Sequence, residues 1–199
     1  MAMAPSDISR LFPNQGHLAE SDYLLFTDHT NRLAEFLNGQ IEVLPMPTIE
    51  HQRIVWFLVS LLKAFIEPMG TGEALMAPVR IRLADGHFRE PDVVFMFQPN
   101  AALQDNRYWN GADLVMEVVS EDEPGRDLVV KRRLYAGAGI REYWIIHPRR
   151  QAVEVLRLEN GEYVTHSAAT ASGEVQSALL EGFTADVAAV FAAGRNEKR

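Results

Sequence analysis

Three residues that could act together on a phosphodiester bond stand in segments of strand or helix type. Asp92 opens the apolar run 92–95 (Asp-Val-Val-Phe), and Glu117 lies inside the run 114–119 (Leu-Val-Met-Glu-Val-Val). A carboxylate buried in such a run costs free energy unless it is paired or binds a cation. Lys131 follows in the next segment. Two carboxylates on adjacent strands, with a lysine nearby, can form a hard-metal site for cutting phosphodiesters.

The chemistry of such a site accounts for the residue types. Mg²⁺ prefers carboxylate and carbonyl oxygens and keeps several of its waters. A bound metal ion lowers the pKa of a water and neutralises the scissile phosphate, so hydrolysis would use metal-activated water without a covalent intermediate. A lysine near that water can orient it, help to remove its proton, or stabilise charge in the transition state.

Each residue also has an ordinary structural explanation. Asp92 follows a proline and could be a turn residue at the start of a strand. Glu117 could form a buried ion pair with an arginine such as Arg80 or Arg82. Lys131 is followed by two arginines and could belong to a solvated basic helix face.

Composition narrows the class of protein. The 199 residues are 47% hydrophobic, and we expect one domain over residues 1–199, with flexible ends at about 1–15 and 194–199. No apolar run approaches the roughly 18–20 residues that span a bilayer, and the first residues do not resemble a signal peptide. We therefore expect a cytoplasmic protein without membrane contact. The net charge of −8 argues against a nonspecific nucleic-acid coat but allows a local basic cleft.

Several other enzyme classes lack their motifs. The absence of cysteine excludes disulfides, thiolate zinc sites and cysteine nucleophiles. There is no Gly-x-Ser-x-Gly motif, no phosphate-binding glycine-rich loop and no dinucleotide fingerprint, and the six histidines show no HExxH spacing. His51, near the start of a long helical pattern, could be a surface histidine or a site residue.

Hydrophobic periodicity and turn residues predict the elements that must position these side chains. Asn38-Gly39 is typical of a two-residue hairpin turn, and Thr48 can cap a long helix. In chain order, the sequence predicts helix 18–26, hairpin 33–44, a helix after Thr48, strands 74–83, 92–97 and 113–119, helix 126–138, strand 142–146, hairpin 152–166 and helix 185–192. One strand–helix–strand crossover among meandering strands indicates an α/β fold, a mixed β-sheet flanked by helices.

The combined motifs resemble the Uma-two family of the PD-(D/E)xK nuclease superfamily. The resemblance begins near the hairpin at 33–44, runs to residue 191, and rests on the segments 91–94 (Pro-Asp-Val-Val), 113–120, 127–131, 135–140 and 142–148. It implies a restriction-endonuclease-like core, a divalent cation (Mg²⁺ or Mn²⁺) and DNA as the substrate. It also implies a homodimer, since two-fold symmetry matches a duplex. The aromatic and apolar hairpins could supply the contact.

The resemblance assigns roles to single residues. Asp92 matches the aspartate of the Pro-Asp motif, and Glu117 matches the second acidic position, so both would bind the metal. The superfamily usually has its lysine two residues after that acid, where this chain has Val119. The family instead places a lysine on the next helix, which here is Lys131, as a catalytic residue.

The resemblance further matches Glu50 or His51 to a region where the superfamily often adds an acidic residue or a general base. Two alternatives to an active nuclease remain open. The chain could be a catalytically inactive nuclease-fold protein with a binding or regulatory role, as the acidic balance and the displaced lysine allow. It could also be a structural homodimer in which Asp92 and Glu117 are only paired with arginines.

Overall fold

The elements that position these residues are seen in a computed structural model, which describes residues 12–120 and 126–195. Its helices are α1 (Glu20–Asp28), α2 (Ile49–Ile66), α3 (Arg126–Gly137) and α4 (Val187–Gly194). Its strands are β1 (Ala34–Leu37), β2 (Gln40–Val43), β3 (Gly72–Met76), β4 (Ile81–Ala84), β5 (His87–Arg89), β6 (Val93–Phe97), β7 (Leu114–Val118), β8 (Glu142–His147), β9 (Ala152–Glu159), β10 (Glu162–Thr170), β11 (Glu174–Gln176) and β12 (Thr184–Asp186). Within these ranges, no helix combines the length and apolar character needed to cross a bilayer.

The start of α2 shows how local sequence fixes an element. The Thr48 hydroxyl accepts a hydrogen bond from the backbone N–H of His51 at 3.2 Å, which caps the first turn as predicted. The helical spacing of apolar residues then buries one side of α2, including Ile54, Leu58 and Leu62. The cap and the buried stripe together hold the first turn of α2, and His51 with it, against the core.

The larger sheet has six strands in the order β10-β9-β8-β7-β6-β3. β7 and β8 are parallel and are connected through α3, whereas all other neighbouring strands are antiparallel. α2 and α4 share a buried core with one face of this sheet, and α3 shares a core with the other face. The predicted fold class, an α/β fold with a mixed sheet flanked by helices, is confirmed.

A smaller sheet, with the strand order β2-β1-β5-β4, corrects one prediction. The predicted strand 74–83 is divided, since β3 joins the larger sheet and β4 joins the smaller one. Pro78 lies between them and has no N–H group, so the ladder of backbone hydrogen bonds cannot continue through it. The turn at Asp85-Gly86 consequently leads into β5, which pairs with β4 and β1, and not directly into β6. A third pair, β11 and β12, was not predicted.

Side chains along the larger sheet alternate between its two faces. Val93 and Trp144 belong to the core that includes α2, whereas Val94 and Tyr143 belong to the core that includes α3. Tyr143 and Trp144 are fully buried, so both aromatic side chains belong to the core.

Candidate functional site

Asp92 and Glu117 lie at adjacent ends of the neighbouring strands β6 and β7. These strands are antiparallel, with Val93 opposite Met116. Asp92 immediately precedes Val93, and Glu117 immediately follows Met116. The backbone N–H of Val118 donates to Asp92 Oδ2 at 2.8 Å, which fixes the Asp92 carboxylate at the end of β7.

Lys131 approaches this face from α3 and is almost buried. Its Nζ lies 3.2 Å from Glu117 Oε2, and only 12% of its side chain is exposed. One turn later on α3, the Tyr135 hydroxyl donates to Glu117 Oε1 at 2.6 Å. Both oxygens of the Glu117 carboxylate are therefore bound by donors from one helix. The explanation of Lys131 as part of a solvated face is wrong.

The arginines suggested as partners of Glu117 lie elsewhere, so that pairing is also wrong. Arg80 forms an ion pair with Asp28, and Arg82 forms one with Glu20. Lys131 takes the place of an arginine beside Glu117. The side chain of Asp127, which precedes Lys131 by one helical turn, lies outside the described part of the chain.

Burial makes Glu117 an unusual carboxyl. It raises the pKa of Glu117 to about 7, against the lowering effect of the Lys131 ammonium, and the nearby Asp92 charge adds to the rise. Near neutral pH this group exchanges a proton easily. Groups tuned in this way are frequent in catalytic sites, although structural ion pairs also produce them.

His51 reaches the same cluster from the first turn of α2. Its Nε2 lies 3.1 Å from Asp92 Oδ2. Burial would lower the pKa of His51, but the hydrogen bond and the charge of Asp92, with smaller contributions from Glu117 and the Val118 backbone, raise it above its usual value. We call Asp92, Glu117, Lys131 and His51 the carboxylate cluster.

Glu50 does not join the carboxylate cluster. Its side chain is exposed, and its Cγ lies beside Gly194 in α4, 3.0 Å from where a Cβ on that glycine would be. Successive helical residues are about 100° apart around the axis, so Glu50 and His51 point in different directions. Of these two alternatives, the structure brings only His51 to Asp92.

Sequence reasoning missed three buried groups at the cluster. Tyr135 binds Glu117 and could have been found from its spacing of four residues after Lys131, which places both on one helix face. Glu35 and Arg89 form an ion pair of 3.1 Å in the smaller sheet, and Glu35 Oε1 lies 3.8 Å from Lys131 Nζ. No sequence signal marks Glu35, because an acidic residue in a short hairpin strand is usually solvent-exposed.

Comparison with known proteins identifies the family. The model of the Uma2 family, described as "Putative restriction endonuclease", matches residues 20–188. The chain belongs to the Uma2 family. This confirms the resemblance inferred from the motifs, and the matched range contains every residue of the carboxylate cluster.

A solved structure shares the fold of this Uma2-family chain. It is a "putative nuclease belonging to DUF820" from Anabaena variabilis ATCC 29413, with a TM-score of 0.71 and 19% sequence identity. The match covers 87% of this chain and 98% of that one. At this identity the likeness shows the fold alone, and it agrees with the mixed α/β architecture. No curated protein matches the sequence.

The donor set of the carboxylate cluster suits a hard cation that keeps water ligands. Among residues 12–120 and 126–195, no three histidine, aspartate or glutamate side chains come together as a group that could hold a metal ion. Within the carboxylate cluster, Asp92 and Glu117 each offer carboxylate oxygens. Mg²⁺ is commonly bound by one or two carboxylates, with water and substrate phosphate completing its shell, so two carboxylates fit it.

Proposed function

We propose that the protein is a metal-dependent DNA endonuclease that hydrolyses phosphodiester bonds with Mg²⁺ or Mn²⁺. The observation that carries the proposal is the convergence of Asp92, Glu117, Lys131 and His51 from two strands and two helices. A structural ion pair needs only Lys131 and Glu117, and it leaves the adjacent His51–Asp92 pair unexplained. Membership of the Uma2 family supports a nuclease.

Each residue of the carboxylate cluster has a distinct role in this proposal. Asp92 and Glu117 would hold the cation through carboxylate oxygens. The bound ion supplies charge neutralisation at the phosphate and a lowered pKa for the attacking water. Lys131 does not ligate, because an ammonium has no lone pair; it donates N–H groups to the water or to a phosphate oxygen. His51 holds the Asp92 carboxylate in place and can keep a proton beside it.

We also propose that the protein acts on DNA as a homodimer. One site per chain must cut two antiparallel strands, and a two-fold axis relates such strands in a duplex. Support comes from three exposed apolar side chains at the N-terminal part of α2 and just before it: Met46 (84% exposed), Ile49 (72%) and Trp56 (65%). A group of exposed apolar residues of this kind often marks an interface.

The test of the nuclease proposal uses supercoiled plasmid and short single- and double-stranded DNA. We expect cleavage in Mg²⁺ or Mn²⁺ and none with excess EDTA. Asp92→Ala should lose cleavage. Asp85→Ala is the matched control, because its side chain is 97% exposed, and it should cut like wild type. Equal cleavage by both variants would contradict the role of Asp92.

A second measurement separates metal binding from catalysis. Mn²⁺ that binds the native state should raise the free energy of unfolding, by about 2.7 kcal/mol at a concentration of 100 times Kd. We expect this gain in wild type and not in Asp92→Ala. If wild type binds Mn²⁺ but cuts none of the DNA substrates, the inactive binding or regulatory protein becomes the better explanation.

The adjacent residues Glu50 and His51 form a matched pair for the same assay. Because only His51 contacts Asp92, His51→Asn should reduce cleavage and Glu50→Gln should not. The reverse result would show that the acidic residue, and not the histidine, acts at the start of α2.

A further inference from the structure

A buried glutamate of the smaller sheet reaches Lys131 from outside the carboxylate cluster. Glu35 is 3% exposed, and its Oε2 lies 3.1 Å from an Arg89 guanidinium nitrogen. Its Oε1 lies 3.8 Å from Lys131 Nζ and is hydrogen-bonded to none of the described residues. One carboxylate oxygen is thus held by an arginine, and the other faces the lysine of the proposed active site.

The register of the smaller sheet explains how Glu35 comes to this position. β1 and β5 are antiparallel, with Phe36 opposite Phe88, so the next pair along the register is Glu35 and Arg89. Phe36 and Phe88 point to the other face, where both rings contact Tyr23 of α1. The apolar face of the smaller sheet is therefore covered by α1, and its charged face turns toward α3.

Lys131 consequently lies between two carboxylates at unequal distances. Its Nζ is 3.2 Å from Glu117 and 3.8 Å from Glu35. A divalent cation at Glu117 would repel an ammonium at this distance, because like charges repel strongly where water is scarce. Glu35 then offers the displaced ammonium an anionic acceptor, because its Oε1 lies 3.8 Å from Lys131 Nζ.

We propose that Glu35 is the positioning residue of Lys131: it accepts the ammonium when a divalent cation occupies Glu117, and Arg89 fixes Glu35 for this purpose. The proposal rests on the metal-dependent function proposed above. Glu35 is not itself a metal ligand, since two cationic side chains already lie beside its carboxylate and would oppose a third positive charge. The smaller sheet thereby supplies the acceptor for the Lys131 ammonium, Glu35, together with Arg89, which holds it.

The test is Mn²⁺ binding by calorimetry on the full chain, in a cycle of wild type, Glu35→Gln, Lys131→Met and the double variant. In Glu35→Gln the ammonium loses Glu35 as an acceptor and stays at Glu117, where it competes with the cation, so we expect affinity to fall on the order of tenfold. In Lys131→Met the competitor is gone, and the further change Glu35→Gln should have no effect. A loss that depends on Lys131 is not expected from a merely structural role of Glu35.

Three outcomes would overturn the proposal in distinguishable ways. An equal loss of affinity from Glu35→Gln with and without Lys131 would make Glu35 a direct ligand. Unchanged Mn²⁺ affinity in Glu35→Gln would show that Glu35 does not position Lys131, and it would leave the proposed metal site unaffected. Absence of Mn²⁺ binding by wild type would overturn the metal site of the proposed function, and this proposal with it.

Two further variants keep the experiment interpretable. Glu73→Gln, an exposed glutamate on β3, controls for loss of one negative charge and should bind Mn²⁺ like wild type. If circular dichroism shows that Glu35→Gln does not fold, Glu35→Asp replaces it. The shorter side chain keeps a negative charge for Arg89 but moves it away from Lys131. We therefore expect Glu35→Asp, like Glu35→Gln, to bind Mn²⁺ more weakly than wild type, and to have no effect in Lys131→Met.

Discussion

Lys131 is held by buried carboxylates, and this position determines what its removal should do. In Lys131→Ala we expect DNA cleavage to be lost, because the ammonium that acts on water or phosphate is gone. Mn²⁺ affinity should stay equal or become tighter, because a positive charge beside Glu117 has been removed. Plasmid cleavage and calorimetry on the same samples check both parts.

The chain offers a matched control for this variant. Lys63, in α2, is 48% exposed and pairs with the exposed Glu67. Lys63→Ala should leave cleavage and Mn²⁺ affinity unchanged, because exposed ion pairs contribute little. If Lys131→Ala cuts DNA like Lys63→Ala, Lys131 is structural and the lysine inferred from the family is wrong.

Glu117 gives a prediction about pH and stability without metal. Burial raises its pKa from 4.5 to about 7, so between these values the folded chain keeps a proton that the unfolded chain has released. The contribution of this group to the free energy of unfolding therefore falls as pH rises from 4.5 to 7, by an amount on the order of 3 kcal/mol. Urea titrations in EDTA at pH 5 and pH 8 should show a smaller difference for Glu117→Gln than for wild type. Glu181→Gln, at an exposed position, should keep the wild-type difference.

At the scale of elements, two hairpins share the turn sequence Asn-Gly but differ in their surroundings. Gly39 and Gly161 have φ values of 78° and 85°, which favour glycine. A Cβ at Gly39 would lie 2.8 Å from the backbone carbon of Gly16, whereas one at Gly161 would meet nothing within 4 Å. The β1–β2 turn is thus packed against the preceding chain, and the β9–β10 turn is open.

We therefore expect unequal effects from the same substitution. Gly161→Ala should lower the free energy of unfolding by about 1–2 kcal/mol, from the left-handed backbone alone. Gly39→Ala should lower the free energy of unfolding by about 1–3 kcal/mol more than Gly161→Ala does, because the backbone at Gly16 must move away from the new Cβ. Urea unfolding of both variants measures the difference. Equal losses would show that residues 16–17 adjust without cost.

At the scale of the whole molecule, the proposed homodimer has a testable surface. In sedimentation at tens of micromolar, a working range for modest interfaces, we expect a dimer. Trp56→Glu places a charge among the exposed apolar side chains of α2 and should give a monomer. Leu25→Glu, at an equally exposed apolar position (61%) in α1, should remain a dimer. A wild-type monomer, or a Trp56→Glu dimer, would contradict the proposed surface.

Much of the fold was predictable because its signals are local. The Asn-Gly turns, the Thr48 cap and the apolar periodicity of α2 each act over a few residues, so they can be read without knowing neighbours in space. The division of 74–83 between two sheets was not predicted. The apolar pattern continues beyond Pro78 through Val79, Ile81 and Leu83, and only the pairing of β4 with β5 shows that the chain has changed sheets.

The sequence by itself determined which residues are candidates, because a carboxylate in an apolar strand is conspicuous wherever it lies. Asp92 and Glu117 were found in this way, with Lys131 in the next segment, and the family resemblance added Glu50 or His51. Only the tertiary structure decided their partners. It paired His51 with Asp92, put Lys131 beside Glu117, and buried Glu35 through the pairing of β1 with β5. These contacts join segments far apart in the chain, and whether a charged side chain is buried depends on what packs over it, which no local pattern records.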